Sequence, residues 1–107
     1  MNDEEAVRAA LRDFNEVVAA RDVQALCDRV LARELVSRVT RAGLPCEVAV
    51  RPALQAAQRP RLDVRSVRID GDRAEAVVET AAANQPASTD RVRLVRERGG
   101  WRVASLG

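Results

Sequence analysis

The chain has 107 residues, 47% of them hydrophobic and 32% charged, with a formal net charge of +2, which leaves room for one domain and one core. Its 18 basic residues are all arginine, interspersed with acids, and its only aromatics are Phe14 and Trp101. No basic stripe with stacking platforms forms, so nucleic acid is not an expected partner, and no run of about 18 apolar residues offers a membrane span.

Residues 2–20 read as a helix. Val7, Leu11, Phe14 and Val18 share one face, Asn2 is the cap with Glu5 as its reciprocal partner, and Asp3, Glu4 and Glu5 suit the helix dipole. Asp22 caps a second helix, with Val23, Leu26, Cys27, Val30 and Leu31 on its inner side. Its signal continues, after a kink, through Leu35 and Val39 to Gly43-Leu44-Pro45. Val48, Val50 and Leu54 fit a helix or a strand; a third, short helix is expected over Pro52–Gln58, or from an earlier start, because proline suits a first helical turn and Arg59-Pro60 ends the element.

From Leu62 the period changes to two. Leu62 and Val64 are out of phase with Val67 and Ile69, which predicts a bulge near Arg65-Ser66. Asp70-Gly71-Asp72 is a tight turn, and the next strand runs from Arg73 to Ala82 with Ala74, Ala76 and Val78 on one face. Asn84-Gln85-Pro86-Ala87 reads as a loop. A third strand follows with Val92 and Leu94 alternating against Arg91, Arg93 and Arg96. Gly99-Gly100 then turns the chain into a last strand with Trp101 and Val103. The fold class is α+β: about three N-terminal helices in the concave face of a four-stranded antiparallel meander, in one domain spanning 1–107.

Cys27 lies on the second helix and Cys46 just past the Gly43-Leu44-Pro45 break. A helix folded back at that break brings the two within bonding range; two separate buried thiols are the alternative. Two cysteines without histidine do not fill a zinc shell, so no metal site is expected. Either Met1 is the native start of a cytoplasmic protein, or an export segment once preceded it. A disulfide would favour the second, extracytoplasmic placement.

The chain has no His, Lys or Tyr, which removes the commonest general base, the Schiff-base nucleophile and the phenolic donor. Its glycines are too sparse for a phosphate cradle, and no cofactor is expected. Carboxylates remain, and Asp28 and Asp63 are the candidates for acid–base work.

This order of elements resembles the nuclear-transport-factor-2-like superfamily, also described as cystatin-like α+β, over residues 3–106. The resemblance rests on the opening helix Glu5–Ala20, the junction Ala19-Ala20-Arg21-Asp22-Val23, the hairpin Val67-Arg68-Ile69-Asp70-Gly71-Asp72-Arg73-Ala74 and the final strand Gly100-Trp101-Arg102-Val103. The placement of Cys27 and Cys46 is similar to that in small exported members. The resemblance implies a cone-shaped cavity between helices and sheet, and a homodimer through the sheet's outer face. Isomerases of that superfamily use an aspartate base with a tyrosine and a second acid; this chain has no tyrosine, and none of its aspartates sits in a matching motif. The expected function is therefore a non-catalytic module that binds an apolar small molecule or a protein segment. An isomerase- or cyclase-type enzyme with a buried carboxylate is the alternative. The expected pocket residues are Phe14, Val18, Leu26, Val30, Val78, Leu94 and Trp101.

Overall fold

The computed structural model describes residues 1–106. Helix α1 (Asp3–Ala20) starts where Asn2 accepts the Glu5 N–H at 2.8 Å, and it ends on Arg21 in the left-handed conformation, with φ of 54°. Asp22 then caps α2 (Val23–Ala25) by accepting the Ala25 N–H at 3.0 Å.

The second helix is not continuous. It widens into a π-helical turn, Leu26–Val30, in which the Leu31 N–H reaches back five residues to the Leu26 carbonyl at 2.9 Å. A π turn frees carbonyls, and Arg102 takes that of Asp28 at 2.9 Å. Leu31 is extended, and the Ala32 N–H donates to Val103 O at 2.8 Å. The break exists because the chain spends these two residues bonding to a strand edge. Helix α3 (Arg33–Arg41) follows.

The short helix predicted over Pro52–Gln58 is a longer one, α4 (Cys46–Ala56), with Pro52 in its interior. Pro45 is extended at its entry, which starts the helix six residues earlier than proline placement alone suggests. It stops at Ala56, and Arg59 beyond it is left-handed with φ of 46°.

Strands β1 (Arg61–Asp70), β2 (Arg73–Ala82), β3 (Gln85–Glu97) and β4 (Gly100–Leu106) form one curved antiparallel sheet in the order β1-β2-β3-β4. The β1 register shifts between Val64 and Ser66, where the change of phase predicts it. Gly71 turns the first hairpin with φ of 60°. The predicted loop at Asn84–Ala87 is instead mostly strand. Only Ala83-Asn84 turn, and β3 begins at Gln85, paired with Ala82. Pro86 is tolerated because the register shifts beside it and β4 covers only Val92–Glu97, so this end of β3 is an edge.

Val7, Leu11 and Val17 of α1 pack with Leu26, Val30 and Leu31 on the sheet's inner face, which supplies Ala76, Val78, Val92, Leu94 and Val103. One side chain ties the chain's start to its end. Arg96 on β3 donates to Asp3 at 2.8 Å, lies 3.4 Å from Asp72, and stacks 4.5 Å from the centroid of the Trp101 ring.

Candidate functional site

The helices do not cover the whole inner face. Between α1, the start of β1 and the far ends of β2 and β3 lies an open cleft of about 380 Å³. Phe14 and Val18 form one wall, Leu62 and Pro60 another, and Val78 and Val92 lie at the floor. Three contacts frame it. Asn15 donates to Pro60 O at 3.2 Å and holds α1 to the entry of β1. Asn84 donates to Ala56 O at 2.9 Å, and the Ala83 N–H donates to Gln58 O at 2.7 Å, so the β2–β3 turn is fastened to the end of α4.

The floor changes character along its length. Strand pairing puts Val78 beside Asp90 and Thr80 beside Ser88 on the same face. Ser88 Oγ lies 3.1 Å and Thr80 Oγ1 3.4 Å from Asp90 Oδ2. An apolar floor thus runs into a carboxylate flanked by two hydroxyls, and all three residues line the cleft.

Of the residues expected in a pocket, the structure brings Phe14, Val18 and Val78 together around this cleft. Leu26, Val30, Leu94 and Trp101 are buried in the packed core instead. Trp101 is buried at the opposite end of β4, beneath Arg96. Asp28 and Asp63 are both exposed, and neither lines the cleft. Asp28 accepts from the Gln24 side chain on its own helix. Asp90 and Ser88 escape the sequence reading because the third strand is read there from Arg91 onward. Thr80 falls in the correctly read strand Arg73–Ala82, on the face of Val78, but its hydroxyl gives no sign of a site without them. Continuing the alternation of Leu94 and Val92 backward by four residues would have put Asp90 and Ser88 on the inner face.

Cys27 and Cys46 are bonded, with their Cα atoms 6.0 Å apart. A broad groove of about 900 Å³ passes over Cys27 toward the β3–β4 turn. Its one carboxylate near the turn is already engaged: Glu97 lies 3.4 Å from Arg102 and accepts the Arg33 backbone N–H at 2.8 Å. The smaller cleft combines an apolar wall with a carboxylate that has hydroxyl partners and no ion pair among the described residues, the make-up of a small-molecule site.

The sequence matches no protein-family model and no curated relative. Solved structures do match. A protein of unknown function from Silicibacter pomeroyi, described as NTF-2 like, superposes with a TM-score of 0.66 at 19% identity over 99% of this chain and 96% of that one. An NTF2-like protein of unknown function from Shewanella baltica superposes at 0.58 with 16% identity, over 96% of this chain and 89% of that one. A de novo designed NTF2-fold protein superposes at 0.60 with 15% identity, over 98% and 85%. This chain has the nuclear-transport-factor-2-like fold.

Proposed function

We propose that the protein binds a small, largely apolar molecule in the cleft between α1 and the sheet, without catalysing a reaction on it. The observation that carries this reading is the floor of the cleft, where Val78 and Val92 meet Thr80, Ser88 and Asp90 on one sheet face. An apolar body is desolvated at one end while a polar group finds partners at the other, which is how small-molecule sites combine affinity with orientation. A volume near 380 Å³ is within the range of such sites. The absence of His, Lys and Tyr from the sequence supports a binding role over proton-transfer chemistry.

Two further readings belong to the same proposal. The Cys27–Cys46 bond supports an oxidising, extracytoplasmic setting, since such bonds persist there and are reduced in most cytosols. Two copies are proposed to meet through the sheet's outer face, as the resemblance to the superfamily implies.

Titration with the neutral fluorophore Nile red tests the cleft. We expect saturable one-to-one binding with a blue-shifted emission. Thr80→Trp, which fills the cleft from its floor, is expected to weaken binding at least about tenfold, roughly 1.4 kcal/mol. Circular dichroism of the variant checks that the fold is retained. No saturable binding, or equal binding by the variant, overturns the reading.

A further inference from the structure

We propose that the cleft selects a cationic amphiphile, a small molecule with an apolar body and a protonated amine, and that Asp90 is its counter-ion. The inference rests on the cleft being a ligand site and adds the charge of what enters it.

The register of β2 and β3 assigns faces to their residues. Ala74 pairs with Leu94, Ala76 with Val92, Val78 with Asp90 and Thr80 with Ser88. The five apolar residues among these are buried, with Val78 and Val92 at the floor of the cleft. Asp90 therefore stands in an inner-face position, one step along from the buried pair Ala76 and Val92. Asp90 is exposed to solvent, like Asp28 and Asp63, but unlike them it is directed to the side that carries the cleft.

The arginines that would ordinarily neutralise it are turned away. Arg91 and Arg93, its near neighbours on β3, face outward and lie 3.6 Å and 3.7 Å from Glu75. Arg61 lines the cleft, pairs with Ala81 in the outward-facing set of backbone positions, and makes no ion pair with Asp90. Among the described residues, the side-chain partners of Asp90 are the Ser88 and Thr80 hydroxyls, with no ion pair.

The chemistry of the complement follows. An ionised carboxylate only accepts hydrogen bonds, and two hydroxyls occupy part of its capacity. A neutral donor would make a charge-assisted bond to the carboxylate, and a charged donor adds to that bond the Coulomb attraction of an ion pair. An ammonium group has three donors in a small volume. One suits Asp90, and the others suit the hydroxyl oxygens of Ser88 and Thr80, which still accept while donating to the carboxylate. A ligand carboxylate or phosphate would meet Asp90 as a like charge and is selected against.

The test compares two probes of equal apolar body and nearly equal shape, naphthylmethylamine and naphthylmethanol. Binding to the native protein is followed by calorimetry or by amide chemical shifts at neutral pH. Because Asp90 is exposed, we expect the amine to bind about threefold to fivefold tighter than the alcohol. In Asp90→Asn, which keeps the shape of the side chain, the two probes should bind alike, with the melting temperature and circular dichroism close to native. If the alcohol binds and the amine gains nothing, the inference falls while the cleft reading stands. If the amine's advantage survives in Asp90→Asn, another group supplies the charge and the inference falls. If neither probe binds, both readings fall.

Discussion

Leu94 and Phe14 look equivalent in the sequence, since each is a large apolar residue at the right spacing. Leu94 is completely buried, whereas Phe14 is half-buried on the cleft wall. Periodicity identifies the inward face but not its depth, which depends on where the helices stop covering the sheet. Leu94→Ala is therefore expected to destabilise the fold by about 2–5 kcal/mol in a urea melt, with a cavity left in the core. Phe14→Ala should destabilise by less than that and weaken Nile red binding, a combination Leu94→Ala does not give. Arg96 presents a different kind of residue-scale test. Its hydrogen bond to Asp3, opposed by desolvation and joined by the charges of Asp3 and Asp72, raises its pKa above the ordinary arginine value. A raised arginine pKa means that the contact is fully present across neutral and mildly alkaline pH, and on the alkaline side it is lost only as pH rises through the shifted value. Arg96→Gln should lower the melting temperature by the same margin at neutral and mildly alkaline pH. A margin that shrinks over that interval would argue against the guanidinium as the stabilising group.

At the scale of elements, what could be read from the sequence depended on whether each element's ends were marked locally. Helix α1 has its cap at Asn2 and its stop at Arg21, and β2 has Gly71 before it, so both could be delimited from the sequence. Helix α4 has no such marks: Val48 and Val50 fit a helix or a strand, and Pro52 argues for a later start. Its cohesion is long-range. Only Cys46 and Leu54 of α4 are buried, while Val48 is 49% exposed, so little apolar area holds it. The bond from Cys46 to the π turn is thus its main anchor. Replacing both cysteines with serine is expected to destabilise the protein by about 3 kcal/mol. Hydrogen exchange should rise most in Cys46–Ala56 and least in β2 and β3. Protection lost evenly over the whole chain would mean that the bond acts only through the unfolded state. Pro52 removes the N–H that would bond Val48 O, so Pro52→Ala should raise stability by about 1 kcal/mol in the same urea melt.

For the whole molecule, alternation along the strands was enough to give an antiparallel meander, because each turn is short and each strand keeps one apolar face. What alternation leaves open is the use of the other face. The outer surface of the sheet is built from charge. Glu75 sits among Arg68, Arg91 and Arg93, at 3.7, 3.6 and 3.7 Å, and Arg65 reaches Glu79 at 2.8 Å. The residues that remain apolar there, Val77 and Val95, are half-buried among these side chains. A homodimer through this face would bury rows of arginine and glutamate rather than a hydrophobic patch, so its strength would come from pairing across the two-fold axis. Exposed ion pairs weaken as salt shortens the screening length from about 14 Å toward about 4 Å, so the proposed dimer should be salt-sensitive. Light scattering after size exclusion is expected to give a dimer mass at about 0.05 M salt and a monomer mass at about 0.5 M. Glu75→Gln, which leaves three arginines uncompensated on each copy, should give monomer at both. A dimer that persists at the higher concentration, or a monomer throughout, would remove the sheet face as the contact.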